Sequence, residues 1–429
     1  MPIISYEQFQ QQRSYFFLDK FLEQKEAVSR IIKRVRQEGD SALRELTRFF
    51  DGGELDDLKV TSEEMARACV EVEPDLKQAI RKARDNIEQF HRQQLPASWW
   101  KPGEGWLMGQ RFTPLSSVGI YAPGGTACYP SSVLMAAVPA SLAGVKQIFL
   151  CTPADNRGQV NPVTLVAAQE SGVHGVFKVG GAQAIAAMAY GTETVPRVDK
   201  IVGPGNIYVT LAKKEVFGQV GIDLLAGPSE LLIVADEQAN PAFIAADLLS
   251  QAEHDILSRV FLATTSRQMV ERVLAQLEEQ LVLLPRRETV ERCLRDNGAV
   301  ILLSSREQSW EVANQLAPEH LELHLAEPWS YLDRFKNAGA IFIGPYSPSP
   351  LGDYWAGSNH VLPTGGTARY ASPLGVMDFL KYSQVIYYSP EPLRQAGPSI
   401  EAIARREGLE AHARAVSIRG RDDEPDSKD

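Results

Sequence analysis

The chain has 429 residues, 44% of them apolar and 23% charged, with a formal net charge of -10. That length can fill more than one hydrophobic core, and the acidic balance excludes a general nucleic-acid binder or a ligand of acidic membranes, both of which need a basic face. Four cysteines, Cys69, Cys128, Cys151 and Cys293, stand far apart with no CxxC spacing, which excludes a secreted disulfide framework and a cysteine-built metal site.

The opening residues, MPIISYEQFQQQ, lack a basic region followed by an apolar one, so no signal peptide is expected. No apolar run approaches the roughly 20 residues that span a bilayer. A cytoplasmic protein is expected. Residues 1 to about 110 are predicted to be helical. Leu76, Ile80, Ala83, Ile87 and Phe90 form an amphipathic stripe behind Pro74, and Thr61 with Glu64 fits a capping box. His91 sits at the edge of that stripe and is read as structural.

From about 115 short apolar runs alternate with helical stretches. Strands are predicted at 117–121, 147–151, 175–179 and 200–202, with helices at 131–143, 162–171 and 182–190. A second series follows, with strands at 231–235, 260–263, 299–303 and 340–344 and helices at 241–254, 267–280 and 306–317. Such alternation with short loops predicts two doubly wound α/β units with parallel sheets. After about 385 the pattern is helical again, and a charged tail expected to be disordered closes the chain. Helical segments at both ends suggest arms that embrace a partner subunit.

Five of the seven histidines lie after residue 250, mostly beside carboxylates. Imidazole titrates near neutrality and binds metals when neutral, so this pattern points to acid/base work, metal ligation or both. Gln251 and His254 are three apart on a helix opened by Asn240 and Pro241, which places them on one face; a solvated polar face fits equally well. Glu319 and His320 follow Pro318 as a candidate base pair. Beyond them Leu321, Leu323 and Leu325 alternate with His320, Glu322 and His324, which predicts an extended edge with His324 on the surface. Asp353 and His360 share a loop rich in Gly, Pro and Ser, where Asp353 offers a hard oxygen to a divalent ion. Glu407 and His412 are five apart, and Gly408 between them can end one helix and re-aim the chain.

Three glycine turns follow strands: Tyr121 to Thr126, Gly180 to Gln183 and Gly203 to Asn206. Each precedes a helix, where an open α/β sheet binds anions, so together they favour a nucleotide or phosphate site. The dinucleotide fingerprint GxGxxG is absent. Cys151 and His174 read as structural, and Cys128, beyond the first turn, is a possible nucleophile.

Taken in order, VGIYAPGG (118–125), VGGAQAIAA (179–187), VGPGN (202–206), AGPSE (226–230), DLLSQAEHD (247–255), APEHLE (317–322), GDYWAGSNHVLPTGG (352–366) and EGLEAHARAV (407–416) resemble the histidinol dehydrogenase family. The resemblance implies two Rossmann-like, aldehyde-dehydrogenase-like domains with helical N- and C-terminal arms in an intertwined homodimer. It implies an arm at 1–20, an α/β domain of 21–117 with 230–380 bearing most site residues, a nucleotide-binding domain at 118–229, and a dimerisation arm at 381–429. The implied activity is oxidation of L-histidinol to L-histidine through L-histidinal, with NAD and one Zn2+ per active site.

By the same resemblance Gln251, His254, Asp353 and His412 ligate zinc, and Glu319 and His320 are the acid/base pair. Ser229, Gln251, His254, His320, Asp353, His360, Glu407 and His412 meet the substrate. Tyr121, Gln183 and Asn206 contact NAD. His412 and Glu407 would complete the partner subunit's site. His320 suits removal of the hydroxyl proton near neutral pH, and Glu319 suits activation of a water for the aldehyde step. The competing readings are Cys128 as a covalent nucleophile, a zinc hydrolase without redox chemistry, and a silent metal-binding homologue.

Overall fold

Alternation of strand and helix after residue 115 builds two parallel sheets in the computed structural model, which describes residues 1–11, 21–124 and 128–420. The charged tail from 421, most of the first glycine turn's tip and residues 12–20 of the expected N-terminal arm lie outside the described residues. The chain divides into two units, Met1–Gln94 with Leu115–Phe379, and Leu95–Pro114 with Leu380–Asp429.

In the first unit the five-stranded sheet runs Gly175–Lys178, Gln147–Thr152, Ser117–Tyr121, Lys200–Val202, Gly221–Ile222. All neighbours are parallel. The chain winds outward from Ser117–Tyr121 in one direction, then returns and winds outward in the other, which puts a switch point between Ser117–Tyr121 and Lys200–Val202. The central strand is buried along its whole length, as expected of a strand covered by helices on both faces. Helices Pro130–Ala143 and Gly181–Tyr190 supply that cover and are apolar nearly all round.

The six-stranded sheet repeats this winding. Its order is Ile3–Ser5, Gly298–Leu302, Arg259–Thr264, Glu230–Ala235, His320–His324, Ala340–Ile343, again all parallel. Its switch point lies between Glu230–Ala235 and His320–His324. The first residues of the expected arm instead add a strand to the edge of this sheet.

Two expectations are corrected here. The strand His320–His324 is interior, flanked by Glu230–Ala235 and Ala340–Ile343. All five of its residues are buried, His324 among them at 3% exposure. Leu321 and Leu323 join an apolar core, so the alternation marks one apolar and one polar face, both covered. An alternating pattern reads as half-exposed only while the polar side has no buried partners. The helix expected at 241–254 is Pro241–Ala252, opened by the Asn240 cap as predicted. His254 thus lies beyond the helix rather than on its face.

The second unit corrects the helical reading of residues up to 110. After helix Pro74–Arg92 come two strands, Trp99–Gly103 and Trp106–Pro114, which pair antiparallel with each other and then with Leu380–Tyr388. Their aromatic residues favour a pleated surface, and Gly105 supplies the positive φ of 72° that the hairpin turn needs. Helices Pro390–Arg406 and Glu410–Gly420 pack together in this unit. Gly408, at φ 78°, ends the first of them as expected. The unit leaves Trp99, Trp100, Ile386, Tyr387, Ile403 and Ile418 exposed.

Candidate functional site

The helix Glu307–Leu316 ends at Ala317, which has φ 46° and is the one non-glycine residue with positive φ among those described. A side chain in the left-handed region costs about 1–2 kcal/mol, and Pro318 next to it forbids further helix. The chain is thereby turned sharply into the six-stranded sheet, with Glu319 and His320 at the amino end of their strand. Glu319 Oε2 accepts the Glu230 N–H at 2.9 Å and lies 3.5 Å from His320 Nδ1. His320 Nδ1 is also 3.1 Å from the Glu230 carbonyl oxygen. Both neighbours of Nδ1 are acceptors, so Nδ1 carries a hydrogen and Nε2 is the atom left to exchange protons. The ring stacks on Phe342 at 5.9 Å.

Burial pulls the His320 pKa down, but the Glu319 carboxylate, with further help from Asp353 and the Glu230 carbonyl, outweighs it and raises the pKa to about 9. The expectation of a base poised near neutrality is corrected accordingly: this imidazole gives up its proton on the alkaline side. Glu230 beneath the pair is buried and held by Arg259 at 3.0 Å. Burial, opposed by Arg259 and assisted by Glu319, pushes its carboxyl up to about 7. Its Oε2 also accepts the Gly365 N–H at 3.1 Å, which ties the loop after His360 to this strand. Ser229 directly precedes Glu230, and its carbonyl accepts the Arg259 N–H at 2.8 Å.

Asp353 lies in the short helix Ser349–Tyr354 and His360 in the loop beyond it. Asp353 Oδ1 is 3.9 Å from His360 Nδ1, and His360 Nε2 is 3.3 Å from Ser132 Oγ. Burial, opposed by Asp353, lowers the His360 pKa, which keeps this ring neutral. Gln251 is buried in the last turn of its helix, and its Nε2 has no hydrogen-bond partner. A buried amide atom without a partner is costly; with the carboxamide turned end for end, its oxygen would take that unpartnered place, so Gln251 fits a ligand role in which its oxygen meets a cation. His254 is exposed two residues past the helix end, its N–H directed at the Gln251 carbonyl at 3.4 Å. Glu407 and His412 belong to the second unit, where both are exposed.

The positions read as nucleotide contacts gather at the carboxyl edge of the five-stranded sheet, the opposite strand end from that used by Glu319 and His320. Tyr121 ends the central strand, and its hydroxyl accepts the Gly181 N–H at 3.0 Å. Gln183 is buried in the first turn of helix Gly181–Tyr190. Asn206 caps helix Ile207–Val216 by accepting the N–H groups of Tyr208 and Val209 at 3.0 and 3.2 Å. Gly203, at φ 116°, lies where any Cβ would collide with the Tyr121 carbonyl. That is the close backbone approach expected at a switch point.

Sequence reasoning missed several residues. Asp51 faces the Gly180 turn, its Oδ2 buried without a partner, and burial raises its carboxyl to about 6. It ends a helix of the N-terminal region, and no local pattern ties it to that turn. Glu230 was hidden inside the apolar run of its strand. Asp247, Glu322 and His324 were also missed: among the described residues they form the one group of three acid or histidine side chains whose ligand atoms lie within 4.8 Å of one another. The alternation at 320–324 was their signal. The residues read as structural stay so: His91 is buried with Nδ1 2.9 Å from the Ile87 carbonyl, His174 Nδ1 accepts the Ile148 N–H, and Cys151 is buried with its thiol pKa pushed up by burial.

Two doubly wound parallel sheets, with a buried carboxylate–imidazole pair at the amino end of one strand, define a protein of the α/β class. The family model described as histidinol dehydrogenase matches residues 18–420. A histidinol dehydrogenase of Halalkalibacterium halodurans is 53% identical over 401 residues, which are 93% of this chain and 95% of the relative. One from Bacillus subtilis is 52% identical over 400 residues, 93% and 94% of the two chains. The crystal structure of histidinol dehydrogenase from Elizabethkingia anophelis superposes with a TM-score of 0.89 at 42% identity, covering 92% of each chain. The chain belongs to the histidinol dehydrogenase family and is an oxidoreductase of histidine biosynthesis. No helix among the described residues is long and apolar enough to cross a membrane.

Proposed function

We propose that this enzyme oxidises L-histidinol to L-histidine through L-histidinal, in two NAD-dependent steps that complete histidine biosynthesis in the cytoplasm. The observation that carries this reading is the Glu319–His320 pair, with Nδ1 anchored between two acceptors so that Nε2 is free to take a proton. His320 removes the hydroxyl proton of histidinol as hydride leaves the carbon. Glu319, its Oε2 fixed by the Glu230 N–H, holds the ring's orientation and activates water for addition to the aldehyde. NAD, when bound, accepts the hydride of each step, with Tyr121, Gln183 and Asn206 lining its place and the Gly180–Gly181 turn admitting it closely.

Gln251, His254, Asp353 and the partner subunit's His412 would hold one zinc ion. A zinc ion held there would supply a Lewis-acidic anchor that orients the substrate. Ser229, His360 and the partner subunit's Glu407 complete the substrate pocket. The domain division read from the sequence goes with this proposal: 118–229 binds nucleotide, 21–117 with 230–380 bears the chemistry, 1–20 is an N-terminal arm whose first residues join the six-stranded sheet, and 381–429 is the dimerisation arm. Large apolar side chains left exposed on the second unit support a homodimer, since surfaces of that kind mark interaction sites. Steady-state oxidation of histidinol with and without a zinc chelator tests the reading. NAD reduction that stops on chelation and returns with zinc is expected; turnover indifferent to the chelator contradicts the zinc assignment.

Glu319→Gln separates the two steps. The variant removes the anion that keeps the proton on His320, so the pH midpoint of histidinol oxidation is expected to fall from near 9 toward the ordinary imidazole value of about 6.5. The sign follows from the base being active when deprotonated: a lower pKa extends activity to lower pH. Oxidation of histidinal is expected to fall by about 10²-fold or more. Profiles of kcat/KM against pH with each substrate check this, and an unmoved midpoint or equal loss of both steps would refute the division of labour.

A further inference from the structure

Asp247, Glu322 and His324 are buried at 8%, 0% and 3% exposure, and the proposed reaction gives them no task. His324 Nε2 lies 3.3 Å from Glu322 Oε2 and 3.6 Å from Asp247 Oδ2. The other oxygen of Glu322, Oε1, accepts the Ser349 N–H at 2.8 Å. Burial, with the charge of Glu322 and a hydrogen bond to it, raises the Asp247 carboxyl to about 8. Three ionisable groups gathered out of water are costly in stability unless their mutual geometry is held.

Their placement is what gives them a use. His320, Glu322 and His324 are alternate residues of one strand and so share one sheet face. Asp247 stands four residues, about one turn, before Gln251 on helix Pro241–Ala252. Ser349 stands four residues before Asp353 in helix Ser349–Tyr354. The cluster therefore joins three separate elements, each at a point one turn or one strand step from a residue of the proposed site. Apolar packing alone lets helices slide by fractions of an ångström. A directional network of buried polar groups does not.

We propose that Asp247, Glu322 and His324 are positioning residues, a buried carboxylate–imidazole–carboxylate lock that fixes the helix bearing Gln251 and the helix bearing Asp353 against the strand bearing His320. The inference rests on the reading of Gln251 and Asp353 as zinc ligands. Partners bonded directly to metal ligands orient them, and their loss typically weakens metal binding 10–100-fold; this lock acts one turn or strand step further out, through the elements that carry the ligands.

The test uses the full-length zinc-loaded enzyme. Zinc dissociation constants are measured by competition with a chromophoric chelator, beside KM and kcat for histidinol and thermal midpoints. Glu322→Gln, which keeps the shape and an oxygen for the Ser349 N–H, and Asp247→Ala are expected to weaken zinc binding by about 10–100-fold and to raise KM more than they lower kcat. Asp247→Asn is expected to recover most of the affinity. If Asp247→Ala does not fold, the two isosteric variants still decide. Parental zinc affinity and KM in Glu322→Gln, whatever its thermal midpoint, overturns the proposal, because a merely structural role moves only the midpoint. Two zinc ions per subunit, falling to one in Glu322→Gln, overturns it differently by making the cluster a metal site itself. Gln251→Ala and Asp353→Asn run alongside: loss of zinc in these with none in the cluster variants refutes the lock alone, while parental affinity in these refutes the ligand assignment and the lock with it.

Discussion

His320→Ala is expected to lower kcat/KM for histidinol by about 10²–10⁴-fold, the range of a positioned general base. The imidazole cannot be replaced by a neighbour. Glu319 has Oε2 committed to the Glu230 N–H, His324 is buried two steps further along the strand, and His360 is turned toward Ser132 and Asp353. Alanine removes the base while leaving Glu319 and the glycine turns of the other sheet in place, so nucleotide affinity should stay within a few-fold of the parent. The rise of activity with pH centred near 9 should vanish from the profile, because the group that titrates there is gone. Binding of NAD measured by fluorescence, beside the pH dependence of residual turnover, checks both halves. A variant that retains that rise would assign it, and the base, to another residue.

The second large effect concerns the second unit. If the partner subunit's His412 completes each zinc site, His412→Ala and His320→Ala subunits are each inactive alone yet complementary when mixed. In a mixed dimer one site pairs an intact His320 with an intact His412, and the other site lacks both. Random exchange makes half of the dimers mixed, each with one working site of two, so about a quarter of parental activity is expected from a symmetric dimer. Denaturing and refolding the two variants together, then measuring NAD reduction against each refolded alone, gives the result directly. Activity no higher than that of the separate variants would place His412 in the same chain's site or outside any site.

The regular part of the fold was legible from the sequence because helix and strand periodicities differ and because caps and glycines mark the ends. The Thr61–Glu64 capping box, the Asn240 cap and the Gly408 terminus all stand where their residue types required. What failed was reading outside from polar alternation. His324 and Glu322 are polar and alternate with leucines, yet they are buried, paired with one another and gathered beside Asp247 across more than 70 residues of chain, and no local pattern carries a partner that distant. The strands at 99–103 and 106–114 were missed because their third partner, Leu380–Tyr388, comes some 270 residues later. Chemistry was legible in part for the same reason. Glu319 and His320 are adjacent and announce themselves, whereas the burial of the His320 ring and the geometry by which the Glu319 carboxylate, helped by Asp353 and the Glu230 carbonyl, outweighs it come only with folding.

The central claim is a four-electron oxidation, and its most direct measurement is the ratio of reduced nicotinamide to L-histidine formed from limiting L-histidinol by the zinc-loaded enzyme. Two NADH per L-histidine, with no lasting accumulation of L-histidinal, is the expected result. No NADH at all, or one NADH per histidinol with histidinal as the end product, would contradict it.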